Sequence, residues 1–182
     1  MKRSGFKGLV AAGLVATSIA SSTSVVSASD MFLKLTGVTG ESVDEKHKGE
    51  IDVLSWSWGM STGTGKVKRG TIAPQCIQDL QLTKFTDSAS PQLIMQGVLG
   101  QTSKEGILTM RKAGKGQQEF LVIKMSDVII TAVTDADSEE SNLETVSLAF
   151  AKVDLEYRPQ KADGSLDAGI HFKYDIKAHK EA

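Results

Sequence analysis

Ile170, Phe172, Tyr174 and Ile176 alternate with His171, Lys173, Asp175 and Lys177, the period of two shown by a strand with one buried and one wet face. From residue 144 to 157 the alternation changes phase. Val146, Leu148 and Phe150 share one parity, and Val153, Leu155 and Tyr157 the other, which predicts a long strand with a β-bulge near Ala151-Lys152 that restores the register. The same change separates Ile51-Val53 from Leu54-Trp56-Trp58-Met60, so a second long strand is also bent. Two bent strands imply a barrel or a strongly curled sandwich. Further strands are predicted at residues 31–38, 76–85, 106–112 and 119–133, each bounded by Gly, Asp, Ser or Pro. One short helix is signalled by Ser90 as N-cap, Pro91 at the first helical position, Leu93, Ile94 and Val98 as its apolar face, and Gly100 as its stop. No strand alternates with a long helix. The pattern thus predicts a mainly β chain with one short α-helix.

The first 28 residues have a different pattern. Lys2, Arg3 and Lys7 make a cationic start, residues 8–20 are an apolar run too short to span a bilayer comfortably, and a Ser/Thr-rich stretch ends in Val26-Ser27-Ala28. This reads as a secretory signal cut after Ala28, followed by a single domain over residues 29–182; the alternative is a start assigned too early, with translation beginning near Met31. The whole chain of 182 residues carries 21 Lys+Arg against 22 Asp+Glu. Without Lys2, Arg3 and Lys7 the remainder has 18 against 22, a net charge of -4. That balance gives no electrostatic footprint for nucleic acid, and no stable membrane insertion is expected. The lone Cys76 can form neither an internal disulfide nor a cysteine-rich metal site, so the core must hold itself together.

Candidate chemistry is sparse. Gly59-Met60-Ser61-Thr62-Gly63 matches G-x-S-x-G, with His171 downstream, the chain order of an α/β-hydrolase. That motif needs a strand, a sharp turn and a helix, whereas Ser61 leads into the glycine-rich Thr62-Gly63-Thr64-Gly65-Lys66. A phosphate-loop reading of Gly65-Lys66 fails because Met60 stands where Gly is needed and Val67 where Ser or Thr would bind magnesium. Asp135, Asp137, Glu139 and Glu140 lack the spacing and central glycine of a calcium loop and read as a solvated acidic turn. Asp44 and His47 read as turn and capping residues, and Cys76 as a small core residue. No catalytic, metal or cofactor-binding constellation emerges.

In Ser55-Trp56-Ser57-Trp58-Gly59 both indoles share one face, while Ser55, Ser57 and Gly59 present small or absent side chains on the other. The indole face is expected inside. The opposite face, neither charged nor apolar, suits contact with a protein without strong chemical preference.

The run Asp30-Met31-Phe32-Leu33-Lys34-Leu35, then Gly40-Glu41-Ser42 with Asp44 and His47, then residues 50–60 around the tryptophans, closely resembles the haemolysin-coregulated protein (Hcp) family. The resemblance continues through Leu82-Thr83-Lys84-Phe85, Ser90-Pro91-Gln92-Leu93, Arg111-Lys112-Ala113-Gly114, residues 146–151 and residues 157–164. It covers essentially everything after Ser29. It implies a compact β-barrel-like fold of two curled antiparallel sheets with one short flanking α-helix, and a non-enzymatic subunit of the type VI secretion tube: a homo-hexameric ring that stacks on other rings, carries small effector proteins in its lumen, works with sheath and spike components and needs no cofactor. Ser57, then Ser55, are expected to face the lumen. Gly63, Gly65, Lys66, Val67, Lys68 and Arg69, in the loop 61–73, are expected to contact neighbouring subunits. Residues 1–28 match nothing in that family. The resemblance implies a secreted protein, periplasmic if the signal works and cytoplasmic before firing if it does not. The readings outside it are a small secreted serine hydrolase using Ser61 and His171, and an exported β-sandwich pilus or adhesin subunit.

Overall fold

A computed structural model describes residues 29–62, 75–112, 116–138 and 141–182. In chain order its elements are β1 (Ser29–Leu35), β2 (Ile51–Asp52), β3 (Ser55–Ser57), β4 (Met60–Thr62), β5 (Gln75–Ile77), β6 (Leu80–Phe85), α1 (Ser90–Val98), β7 (Thr102–Lys112), β8 (Glu119–Ser138), β9 (Ser141–Ala149), β10 (Lys152–Tyr157), β11 (Ile170–Asp175) and β12 (Lys180–Glu181). All pairing is antiparallel. One leaf runs β12-β11-β10-β8-β7-β1-β2, a second runs β3-β6-β9-β8, and β4 and β5 form a separate two-stranded ribbon.

The two leaves share β8. Its first half pairs with β7 and β10 and its second half with β9, and the strand turns at Asp127, whose φ is 53°. The partner of β8 bends beside it between β9 and β10. Here the expected bulge is absent: Ile129↔Ala149 and Ser126↔Lys152 lie in one unbroken register, and the irregularity falls between Ile130 and Ala132. The phase change has another cause. The chain passes from one leaf to the other at Phe150 and Ala151, both buried, so the inward parity flips without an inserted residue. The second bend is equally sharp. Val53 N donates to Met31 O in one leaf and Leu54 N to Thr83 O in the other, which splits the predicted strand into β2 and β3.

The core fills the space between the leaves. Leu33, Leu35, Leu108, Ile123, Met125 and Val153 meet Leu80, Leu82, Val146 and Leu148, with Ala89 and Leu93 of the helical segment added at one side. Gly106 is where β7 crosses this packing: a Cβ there would lie 3.2 Å from Val128 Cγ2 and 3.3 Å from Met125 Cε, closer than the neighbours allow without yielding.

Helix α1 exists where predicted but is capped and turned differently. Its N-cap is Ala89, and Ser90 is buried in the first turn, accepting from Lys84 Nζ at 3.0 Å and from Asp87 N at 3.1 Å. Gly100 does stop it, with φ of +60° and Gln101 N bonded to Gln96 O, the left-handed closure that favours glycine. Of the expected apolar face only Leu93 is buried; Ile94 and Val98 are exposed. The reason is polar. Gln92 exchanges bonds with the Thr39 backbone at 3.0 and 3.1 Å, and Gln96 donates to Gly37 O at 3.2 Å, fixing the helix's rotation.

Candidate functional site

The second leaf presents a face away from the core that is built from three cross-strand rows. Register puts Ser57 beside Gln81, Ser147 and Ala132; Ser55 beside Thr83, Thr145 and Thr134; and Phe85 beside Leu143 and Ala136. None of these side chains is ionisable. Ser55, Ser57, Gln81, Ala132, Thr134 and Ala136 are exposed, and Phe85 is 54% exposed. Ser57 and Ser55 therefore lie where the parity of the tryptophan strand put them. Trp56 and Trp58 point the other way, half-buried against the core; Trp58 Nε1 donates to Gln78 O at 3.0 Å, and its ring centroid lies 5.9 Å from that of Phe150.

The charges of β6 and β9 are hidden on the opposite side. Lys84 and Glu144 are direct cross-strand partners, continuing the inward stripes of Leu80-Leu82 and Val146-Leu148, and both are fully buried. Lys84 Nζ donates to Phe85 O at 2.8 Å, Asp87 Oδ1 at 2.7 Å and Ser90 Oγ at 3.0 Å, and lies 3.6 Å from Glu144 Oε2. Asp87 Oδ1 in turn accepts from Ala89 N at 2.9 Å, so the lysine ties the start of α1 to β6. Sequence reasoning missed this pair and every residue of the face beyond β3. Alternation within residues 80–85 and 143–148 carries the signal, but the order of strands does not show in it.

The outer side of the other leaf is charged. Asp154 lies opposite Lys124 and Lys173, Glu156 opposite His171, and Lys152 opposite Asp175. Burial pushes the Asp154 carboxyl up, but hydrogen bonds from His171, at 2.8 Å, and from Lys173 outweigh it and hold the group below the usual aspartate value.

Beneath the segment 36–50, Arg111 is buried over the Phe32 ring, 4.8 Å from its centroid. Its Nε donates to Asp30 Oδ2 at 3.2 Å, its Nη1 to Asp44 Oδ1 at 2.9 Å, and its Nη2 to Asp44 Oδ2. Phe32 also stacks on His47 with centroids 4.3 Å apart, and His47 Nδ1 lies 2.9 Å from Glu50 Oε2. Asp44 is a turn residue as expected, accepting from Lys46 N at 2.9 Å, but it also anchors the segment. Gly40 permits the close return of that segment, since a Cβ would fall 2.3 Å from Glu50 O. Hydrogen bonding from Arg111 lowers the Asp44 pKa to about 2. A carboxylate depressed in the fold stabilises above the unfolded value of about 4 and loses that contribution as pH falls towards the folded value. Asp44→Asn should therefore lower the melting temperature at neutral pH and flatten its fall between about pH 4 and pH 2, as followed by circular dichroism.

The hydrolase constellation does not assemble. Ser61 sits in β4 opposite Cys76 of β5, not on a strand-to-helix turn, while His171 is committed to Asp154 on β11. Cys76 is exposed rather than core, because the β4-β5 ribbon stands apart from the main sheet. Asp135 is an exposed strand residue of β8 rather than part of a turn; Glu139 and Glu140 lie outside the described residues, as do Gly63, Gly65, Lys66, Val67, Lys68, Arg69 and residues 1–28.

Comparison with known proteins matches residues 32–157 to the family described as type VI secretion system effector, Hcp. Protein hcp1 of Pseudomonas aeruginosa is 40% identical over 159 residues, covering 84% of this chain and 98% of that protein. The crystal structure of Hcp1 from Salmonella typhimurium is 37% identical, with a TM-score of 0.68 over 85% of this chain and 99% of that one. A type VI secretion system effector from Yersinia pestis is 34% identical, with a TM-score of 0.66 over 81% and 100%.

Proposed function

The chain belongs to the Hcp family of type VI secretion proteins, and from that premise we propose that it is a non-enzymatic subunit whose copies close into hexameric rings, stack into the secreted tube and carry small effector proteins in the lumen, alongside sheath and spike components. The observation that carries this reading is the uncharged four-strand face together with the two edges that bound it. Among the described residues β3 pairs only with β6, and the second half of β8, beyond Ile129, pairs only with β9. One leaf thus offers an open strand at each side. Because successive strands alternate in direction, β3 of one copy meets β8 of the next antiparallel, the pairing that backbone hydrogen bonds complete most readily. Repeated head to tail, such a contact closes into a ring, with the rows of Ser57, Ser55 and Phe85 lining its bore. Hydrogen exchange on the intact assembly and on dilute monomer tests the contact: amides of residues 130–136 should exchange more slowly in the assembly, and equal rates would exclude it.

An uncharged bore holds cargo through modest polar and van der Waals contacts. A glutamate at Ser57 would place a solvated ion in that bore once per subunit without touching the indole face. Ser57→Glu should keep the native mass and the melting temperature while cutting co-purification of a co-expressed small effector by tenfold or more. Full retention of the effector in an intact ring would remove this face from the lumen, and failure to fold would make it core.

Residues 29–182 are proposed to be the mature single domain, with 1–28 a signal removed after Ala28. No described helix is long and apolar enough to cross a membrane. Mass spectrometry of the native N-terminus should find Ser29; a start at Met31 with no upstream peptide would defeat the export reading.

A further inference from the structure

The uncharged face of the second leaf is not uniform along its strands. Its rows, two residues and therefore about 7 Å apart, change from amide and hydroxyl groups at Ser57-Gln81 and Ser55-Thr83 to apolar groups at Phe85, Leu143 and Ala136. The change is abrupt. Phe85 is 54% exposed, Leu143 is half-buried and Ala136 is exposed. At the opposite rim Asp79 Oδ2 accepts from Thr131 Oγ1 at 2.6 Å, so the face runs from a polar end to an apolar one.

The apolar row is firmly held. Phe85 pairs with Leu143 and the ladder continues one residue further, where Thr86 N donates to Asn142 O at 3.1 Å, while Lys84 Nζ donates to Phe85 O at 2.8 Å. An aromatic ring on such a strand loses little freedom when it is covered. Lys84 and Glu144, the charges of β6 and β9, are buried on the other side and face each other. Neither can offer a counter-charge to a group seated on the row. A charged side chain placed there would give up hydration without compensation, whereas an aliphatic or aromatic one would gain by leaving water. The other large exposed apolar groups belong to other elements: Ile170 and Phe172 to β11, a strand predicted to be half-buried and found open on its apolar side, and Ile94 and Val98 to α1.

We propose that Phe85, Leu143 and Ala136 form the anchor subsite of the bore, and that it selects cargo proteins presenting an exposed aliphatic or aromatic side chain with uncharged polar groups about 7–14 Å away, to be met by the rows of Ser55 and Ser57. The proposal rests on the bore reading above and adds to it the chemistry of the cargo. It also gives the cargo a direction, because only one end of the face is apolar. Discrimination comes from what the row excludes: a lysine or glutamate at the anchor position is rejected by its own hydration.

The probe is a blocked Gly/Ser dodecapeptide with one central p-benzoylphenylalanine, irradiated with the full-length protein, whose native mass is recorded in the same solution. Cross-links mapped by mass spectrometry should fall within residues 81–85, 134–136 and 143–145. Phe85→Ser, whose melting temperature should match that of the unaltered protein, should cut their yield about tenfold, and Phe85→Leu should keep most of it. The same peptide with a central phenylalanine should compete, and one with a central lysine should not. Ile170→Ser, on the other leaf, should leave the yield unchanged. Cross-links that fall elsewhere, or that survive Phe85→Ser at full yield, would overturn the subsite. Equal competition by the lysine peptide would overturn it too, since an open strand edge would then hold the probe through its backbone. If the protein stays monomeric and the cross-links still map to the row, the subsite stands and the bore reading fails; a ring without those cross-links keeps the bore and removes the subsite.

Discussion

Lys84→Ala should destabilise the fold by about 3–5 kcal/mol, the usual cost of removing one partner from a buried ion pair. At roughly 2–4 °C of melting temperature per kcal/mol for a domain of this size, the drop is about 6–20 °C in differential scanning calorimetry. The size follows from what is left behind. Glu144 is fully buried, its two carboxylate oxygens have no hydrogen-bond partner among the described residues, and Lys84 Nζ at 3.6 Å is its counter-charge. The same ammonium satisfies Phe85 O, Asp87 Oδ1 and Ser90 Oγ, so alanine also frees the first turn of α1. A charged pair of this kind adds little net stability when intact, because both groups have lost their hydration. Lys84→Met combined with Glu144→Leu should therefore recover most of the loss. A double variant as unstable as Lys84→Ala would show that the lysine's bonds to the helix start, rather than the stranded carboxylate, set the cost.

Arg111→Leu should also destabilise the fold, though less than the loss of Lys84, because the carboxylates it strands reach solvent, Asp44 at 15% and Asp30 at 42% exposure; the readout is a lower urea midpoint with an unchanged slope. Leucine keeps apolar contact with Phe32 but leaves Asp30 and Asp44 without their guanidinium. Asp44 is the more serious loss, because it also holds the turn through Lys46 N and His47 N, and the segment it anchors carries Thr39 and Glu41, which bond Gln92 and Ser88 N. Arg111→Lys should recover only part of the stability: one ammonium cannot reproduce the fork that reaches two carboxylates. Full recovery by lysine would reduce the site to simple charge balance.

Alternation made most strands legible, and their ends were least so. The tryptophan strand is the clearest success. Its parity put Ser55 and Ser57 on one face and both indoles on the other, because a strand offers only two directions and large aromatics take the inward one. The bends at 53–54 and 150–151 were legible as phase changes but not as crossings between leaves. A bulge and a crossing leave the same mark on hydrophobic order, and only the registers with β1, β6 and β8 distinguish them. Ile94 and Val98 look like core by helical spacing, yet the bonds of Gln92 and Gln96 to a turn more than fifty residues away rotate the helix otherwise. Lys84 and Glu144 look like surface residues within alternating strands, and their burial depends on each other across a strand pair.

By itself the sequence determined the mainly β class, the one helix, the inward parity of the tryptophan strand and membership of the family. Those depend on periodicity and on residues close together in the chain. The tertiary structure alone decided that the strands form two leaves sharing β8, that Ser57, Gln81, Ser147 and Ala132 make one continuous row, and that Lys84 and Glu144 sit inside. Strand order and register bring together residues up to ninety positions apart, and no local pattern encodes which strand lies beside which.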